Sequence, residues 1–138
     1  MILQLAVGGL VFACCVAIHA SFMLWTLKVA LPALRRLEEA GRLVLSMVMV
    51  VGLLAIAHVT EVSLWAFVMG LVGAIPGEGD ALYFAFTSYT TLGYGDVLAV
   101  KQWQMLGPIS AMNGVLLFGW STAVIFQALQ TGLRVQAD

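Results

Sequence analysis

Long runs without charged side chains divide this chain, and their lengths match the thickness of a lipid bilayer. Residues 1–27 and 102–133 contain no charged residue, and residues 43–75 contain only Glu61. A helix crosses ~30 Å of hydrocarbon with about 20 residues. The chain is 62% hydrophobic and 9% charged, which excludes a soluble domain and an intrinsically disordered one. The sequence therefore predicts an all-α membrane protein whose three transmembrane helices lie in these runs.

Basic residues predict how these helices are oriented. The first loop and the C-terminal tail together hold Lys28, Arg35, Arg36, Arg42 and Arg134, whereas the opposite side of the membrane holds only Lys101. Because basic residues accumulate on the cytoplasmic side, we expect the first loop and the C-terminus in the cytoplasm and the N-terminus outside the cell membrane. Within the first loop, residues 32–41 are interpreted either as an amphipathic helix on the membrane surface or as a solvated helical loop. The net charge of −1 argues against a nucleic-acid partner.

The segment between the second and third predicted spans is too short and too polar to cross the membrane. Asp80 is a suitable N-cap for a helix over residues 81–90, which at ~15 Å would reach half-way through a bilayer. The chain then has to return outward to begin the third span. Irregular backbone at membrane depth is tolerated only where it is buried in protein or lines water. The pattern therefore predicts a re-entrant pore helix and loop.

The returning residues, 91–95, have a glycine pattern that suits the binding of a dehydrated monovalent cation. Gly93 and Gly95 can adopt positive φ at no steric cost, which turns alternate carbonyls to the same side. The candidate ion ligands are backbone oxygens, together with one threonine hydroxyl, of Thr91, Leu92, Gly93, Tyr94 and Gly95. A closed ring of such carbonyls needs four chains, so we expect a four-fold symmetric homotetramer.

The sequence Thr-Thr-Leu-Gly-Tyr-Gly-Asp over residues 90–96 resembles the signature of the potassium channel pore family. The order of outer helix, re-entrant loop and inner helix, over about residues 43–133, is also similar to the pore module of that family. The resemblance implies passive potassium conduction, with K⁺ held by the filter backbone, no other cofactor and no enzymatic activity. It divides the chain into an N-terminal helix with its linker, residues 1–42, and a pore module, residues 43–138.

Three positions depart from the family pattern or extend it. Leu92 stands where the family more often has valine or isoleucine, and Tyr83 and Phe84 stand where many members have tryptophans that brace the filter.

Residues 1–75 lack the regularly spaced basic residues of a voltage sensor. About five residues follow Leu133, so we expect no soluble regulatory domain in this chain.

Glu61 is expected to face protein or water, because a charge at mid-membrane costs ~2.5–3.5 kcal/mol. Such a contact would be similar to one in some potassium channels, in which a carboxylate on the pore helix braces the filter aspartate. Here that pore-helix position is Thr87. We hypothesise that Glu61 instead bonds the back of the pore loop near Thr87, Tyr94 or Asp96, with His58 one turn earlier on the same face. The alternative is a Glu61–His58 pair that only links helices.

The remaining candidate residues have competing interpretations. The resemblance makes Thr90 a further filter-support residue, and Gly114 and Gly119 are candidate hinges of the inner helix, with close helix packing as the alternative. Two other functions stay open: a nonselective monovalent cation channel, and a small membrane haem protein with His19 and His58 as iron ligands.

Overall fold

The computed structural model describes residues 1–30, 32, 41–76 and 78–137, and every regular element within them is a helix. Helix α1 covers Ile2–Trp25 and continues as a π-helical turn over Thr26–Ala30, α2 covers Arg42–Leu71, α3 covers Glu78–Tyr89 and α4 covers Leu106–Ala137. A 3₁₀ turn, Lys101–Trp103, precedes α4. Most of the predicted linker helix, residues 32–41, lies outside the described residues.

Three segments are long and apolar enough to cross a membrane, and they agree with the three predicted spans. They are Ile2–Lys28, Leu43–Leu71 and Lys101–Leu133. Large apolar side chains cover the outer faces of these helices, as expected of surfaces in contact with lipid. The prediction of an all-α membrane protein with three transmembrane helices is confirmed.

Helix α2 ends at Leu71, four residues before the predicted limit at Ile75. Gly73 takes φ +64°, its N–H donates to the Gly70 carbonyl at 3.0 Å, and the Ala74 N–H donates to the Met69 carbonyl at 2.8 Å. This pair of bonds is a Schellman motif, which closes a helix where glycine adopts the left-handed conformation. The left-handed conformation of Gly73 therefore ends the helix, although the residues that follow are apolar.

Helix α3 is too short to span the membrane, and it begins earlier than predicted. Its 12 residues, Glu78–Tyr89, amount to ~18 Å of helix. Asp80 therefore lies in the first turn, where a carboxylate favours the helix N-terminus, and the expectation that it is the N-cap was wrong. The Val100 N–H donates to the Ala74 carbonyl at 2.9 Å, so the end of the returning loop is tied to the turn that precedes α3.

The core lies where α2, α3 and α4 pack on one another, and α1 extends it by packing on α2 and α4. Cys15 of α1 and Trp65 of α2 are fully buried together with Tyr89 of α3. Near the other end of α1, the side-chain carbonyl of Gln4 accepts a hydrogen bond of 3.0 Å from the Met105 N–H, just before α4. Helix α1 thus packs on the pore module through both apolar and polar contacts.

Candidate functional site

The loop after α3 is hydrogen-bonded to the last turn of that helix. The Thr91 N–H donates to the Ser88 carbonyl at 2.9 Å, and the Gly93 N–H donates to the Thr87 carbonyl at 3.0 Å. Both glycines expected to have positive φ have it, with values of +52° at Gly93 and +77° at Gly95. Thr91 also has positive φ, at +61°, which is unfavourable for a residue with a Cβ. The backbone handedness therefore alternates along the loop.

The side chains of this loop are exposed in the single chain. Leu92 is 55% exposed and Tyr94 is 67% exposed. An open cleft of about 480 Å³ lies beside the loop, between α3 and α4, and Thr91 and Gly93 contribute to its wall. The face that presents the loop is thus an uncovered surface of the subunit.

Asp96 ties the C-terminal end of the loop to α3 through a hydrogen bond. The Tyr83 hydroxyl donates to Asp96 Oδ2 at 2.7 Å, and Asp96 Oδ1 accepts a bond of 3.1 Å from the Val97 N–H. The hydrogen bond to the Asp96 carboxylate raises the pKa of the Tyr83 phenol. The sequence placed Tyr83 among the aromatic residues near the filter, but its bond to Asp96 was not foreseen.

Thr87 and Thr90, the two threonines expected to support the filter, use their hydroxyls within α3 and the turn that follows. The Thr87 hydroxyl donates to the Phe84 carbonyl at 3.1 Å, and the Thr90 hydroxyl donates to the Phe86 carbonyl at 2.7 Å. Thr87 supports the loop through its own carbonyl, which accepts the Gly93 N–H. Thr87 thus contacts the loop through its backbone, whereas the backbone N–H and the hydroxyl of Thr90 both bond the Phe86 carbonyl of α3.

Glu61 contacts the pore helix, but at a residue the sequence did not indicate. Its carboxylate is fully buried, lies 2.8 Å from His19 Nδ1, and accepts a hydrogen bond from the Tyr89 hydroxyl. His58 Nδ1 lies 3.2 Å from Glu61 Oε2, so His58 is close to Glu61 as predicted.

The expected partners of Glu61 among Thr87, Tyr94 and Asp96 were wrong. Thr87 bonds its own helix, and Tyr94 and Asp96 lie on the exposed side of the loop. Tyr89, at the end of α3, is long enough to reach back to α2.

Five side chains from four helices form a closed network around this carboxylate, which we call the polar ring. Its members are His19, His58, Glu61, Tyr89 and Ser121. His58 Nδ1 lies 3.0 Å from the Tyr89 hydroxyl, and His58 Nε2 lies 2.9 Å from the Ser121 hydroxyl. The Ser121 hydroxyl lies 3.2 Å from His19 Nε2, which completes the circle. Sequence reasoning missed Tyr89 and Ser121, although polar residues in apolar helices are the signal for such sites.

A comparison with known protein families decides the class of this protein. The model of a family described as "ion channel" matches residues 57–131, which is more than half of the chain. The chain belongs to this ion channel family. The match begins in α2 and continues through α3 and the loop into α4, so it contains Glu61, Tyr89 and the whole loop. Searches of curated proteins and of solved structures gave no match.

The inner helix of the channel packs directly on the end of the pore helix. A Cβ placed on Gly114 would lie 2.0 Å from the Tyr89 carbonyl oxygen, whereas a Cβ on Gly119 would meet nothing within 4 Å in the subunit. Helix α4 runs without interruption through both glycines. The contact at Gly114 agrees with the packing alternative, and the hinge stays a prediction for both residues.

The polar ring of the channel also contains His19 and His58, the two residues that the sequence offered as haem ligands. His19, His58 and Glu61 each present one ligand atom within 4.8 Å of the others, as a small metal site would require. A haem does not fit the two histidines, because both nitrogens of each imidazole already bond members of the ring.

Proposed function

We propose that four copies of this chain form a potassium-selective channel that conducts K⁺ passively through the loop over residues 91–95. The observation that carries the proposal is the alternation of backbone handedness, with positive φ at Thr91, Gly93 and Gly95. This alternation is the geometry by which successive carbonyls face one side, as a filter that replaces the hydration shell of K⁺ requires. K⁺ is the permeant ion and no further cofactor is needed.

Assembly into a homotetramer follows from the same loop. Each chain supplies one filter strand, and its side chains Leu92 and Tyr94 are largely exposed in the single subunit. Cyclic assembly would bring the cleft beside the loop against a neighbouring copy and would place the four loops around one axis. The particle is expected to have four times the subunit mass of 14.8 kDa.

The proposed arrangement in the membrane places the loop near the outer surface. The carbonyl end of α3 then points toward the centre of the membrane, where its negative pole attracts a cation below the filter. The basic residues of the first loop and of the C-terminal tail lie in the cytoplasm, and the N-terminus lies outside the cell membrane.

Ion flux into liposomes tests this proposal against a nonselective cation channel. We expect purified protein to carry K⁺ much faster than Na⁺, as a filter of this kind requires. Gly95→Ala introduces a Cβ at φ +77° and should abolish that preference. The matched control is Gly52→Ala on the exposed side of α2, where a Cβ meets nothing within 4 Å.

Equal rates for Na⁺ and K⁺ in the wild type would favour the nonselective channel. A monodisperse active particle with the mass of a dimer would contradict the tetramer.

A further inference from the structure

Four members of the polar ring bring metal-ligating atoms together between the transmembrane helices. His58 and Glu61 are three residues apart on one face of α2. His19 comes from α1, and Tyr89 is the last residue of α3. The Nδ1 atoms of both histidines and the hydroxyl of Tyr89 all contact the two oxygens of the Glu61 carboxylate. Two imidazole nitrogens, one carboxylate and one phenol oxygen thus form a compact set of donor atoms.

The separations between these atoms are close to those around a four-coordinate zinc ion. Zn²⁺ binds histidine nitrogen and carboxylate oxygen at ~2.0–2.2 Å, so neighbouring ligand atoms of a tetrahedral site are ~3.3 Å apart. His19 Nδ1 and His58 Nδ1 lie 2.8 Å and 3.2 Å from the Glu61 oxygens, and the ligand atoms of these three residues are all within 4.8 Å of one another. His58 Nδ1 also lies 3.0 Å from the Tyr89 hydroxyl. An ion therefore fits among these atoms after shifts on the order of 1 Å, and no macrocycle has to be accommodated.

Ser121 of α4 contacts both imidazoles at the nitrogens that face away from Glu61. The Ser121 hydroxyl oxygen lies 2.9 Å from His58 Nε2 and 3.2 Å from His19 Nε2. A histidine that binds a metal through Nδ1 carries its proton on Nε2 and donates that proton to a nearby oxygen. A hydroxyl oxygen has two acceptor sites, so Ser121 can accept one bond from each histidine. This contact orients both Nδ1 atoms toward the carboxylate.

The charge of the site also favours a cation. Glu61 is fully buried, and the three charge-poor runs that form the transmembrane helices contain no lysine or arginine. A carboxylate at this depth needs a positive partner because water is excluded. A divalent cation bound by the carboxylate supplies that charge at the place where it is needed.

We propose that the polar ring is a zinc site, with His19, His58 and Glu61 as ligands and the Tyr89 oxygen in the fourth position. The bound ion would join α1 to α2 and to the end of the pore helix, which makes it a structural ion that holds the N-terminal helix on the pore module. The His58 side chain is 15% exposed, so the site has an open edge for entry of the ion. The site lies within one chain, so the inference does not depend on K⁺ selectivity or on the tetramer.

The experiment titrates Zn²⁺ into the full chain in detergent, purified without a histidine tag and stripped of metal with a chelator. We expect one Zn²⁺ per chain with a Kd below about 1 μM, measured by competition with a chromophoric chelator. Co²⁺ in place of Zn²⁺ should give the intense visible absorption of tetrahedral coordination without a thiolate charge-transfer band. A hundredfold excess of Zn²⁺ over Kd should raise the Tm of the wild type by about 5 °C or more.

Four variants separate ligands from supporting residues. Glu61→Gln and His19→Gln each remove one ligand from a different helix, and each should weaken Zn²⁺ binding at least about a hundredfold and remove the rise in Tm. Ser121→Ala keeps every ligand but loses the acceptor for both Nε2–H groups, so binding should weaken about tenfold. Tyr89→Phe should weaken binding less than Glu61→Gln does, because three protein ligands remain and water can take the fourth position. If Glu61→Gln does not fold, His19→Gln and Ser121→Ala test the same site.

Two further variants are controls for binding elsewhere. Ser63→Ala removes an exposed hydroxyl of α2 that bonds only the Val59 carbonyl, at 2.7 Å, and it should bind Zn²⁺ as the wild type does. Cys14→Ser removes the exposed thiol of α1, which is the other side chain in this helix able to bind zinc at the surface. We expect Cys14→Ser to keep the wild-type affinity and stoichiometry.

Several outcomes would overturn the inference. Absence of saturable Zn²⁺ binding in the wild type would show that the ring is held by hydrogen bonds alone. Unchanged affinity in folded Glu61→Gln or His19→Gln, or loss of binding in Cys14→Ser, would place the zinc elsewhere. Unchanged affinity in Ser121→Ala would contradict coordination through the two Nδ1 atoms. A wild type that carries Na⁺ as fast as K⁺ would contradict the selectivity proposal and leave the zinc titration unaffected.

Discussion

The carbonyl oxygen of Tyr89 occupies the position toward which a Cβ on Gly114 would project, at a separation of 2.0 Å. A real Cβ does not approach a backbone oxygen this closely, so the inner helix and the pore helix meet here only because residue 114 has no side chain. The contact fixes the position of the last turn of α3 against α4, and the carbonyls of this turn accept the N–H groups of Thr91 and Gly93.

Gly114→Ala is expected to displace the end of the pore helix. The contacting atom belongs to backbone, which cannot move aside as a flexible side chain would, so we expect K⁺ flux to fall at least about tenfold or the tetramer to be lost. Flux in liposomes and the mass of the detergent-solubilised particle measure the two effects. Gly52→Ala is the control, and a Gly114→Ala channel with wild-type flux would show that this contact is not needed.

Gly93→Ala is expected to damage selectivity while the subunit still folds. Gly93 has φ +52°, and a Cβ in the left-handed region costs roughly 1 kcal/mol or more in each subunit. The strain is repeated in every copy around the axis, so the K⁺ to Na⁺ flux ratio should fall at least about tenfold. Unchanged selectivity in this variant would place the filter elsewhere in the chain.

The hydrogen bond from Tyr83 to Asp96 predicts a titration outside the physiological range. The bond raises the pKa of Tyr83 above its ordinary value of about 10. Because the bond needs the phenol proton, its stabilisation is fully present below about pH 10 and is lost as pH rises through the higher pKa of the folded protein. Absorbance titration of phenolate should contain a late transition of Tyr83, and that transition should be missing in Tyr83→Phe.

Asp96→Asn is the matching variant for that pair. Its neutral amide no longer favours the protonated phenol through a charge, so the Tyr83 pKa should move back toward the ordinary tyrosine value. If the late transition persists in Asp96→Asn, another group causes it.

Trp65→Phe is expected to lower the stability of the channel. Trp65 Nε1 donates to Asn113 Oδ1 at 2.9 Å, and both residues are fully buried between α2 and α4. Removal of the donor leaves a buried amide oxygen unsatisfied, at a cost of about 1–3 kcal/mol per subunit. The double variant Trp65→Phe/Asn113→Leu should recover part of the loss in thermal unfolding, because it removes both polar partners. A double variant less stable than Trp65→Phe would contradict this account.

The sequence was sufficient for the spans and for the positive φ of the two loop glycines because both depend on local patterns. Charge-free runs predicted the three long helices, and the glycine spacing predicted positive φ at Gly93 and Gly95. The end of α2 was missed because the residues up to Ile75 are apolar, while the helix is closed by the conformation of Gly73. A hydropathy profile gives no information about which residue adopts the left-handed backbone conformation.

The polar ring could not be assembled from the sequence because its contacts join distant parts of the chain. His19 and Ser121, which bond each other, are 102 residues apart. The buried carboxylate at Glu61 indicated that a partner was needed, and the sequence placed that partner on the pore loop. It could not show that Tyr89, whose ring resembles an ordinary apolar core residue, turns its hydroxyl toward α2.

The closure of the polar ring within one chain has a consequence for biogenesis. Its members come from α1, α2, α3 and α4, and none of them needs a neighbouring copy to complete its hydrogen bonds. During synthesis Glu61 enters the membrane before Ser121 has been made, so the carboxylate has only part of its network until the last helix inserts. Each subunit can then leave the insertion machinery with the members of the polar ring already hydrogen-bonded to one another. In the proposed tetramer, association of four finished subunits would follow as a separate event, driven by the surfaces that remain uncovered.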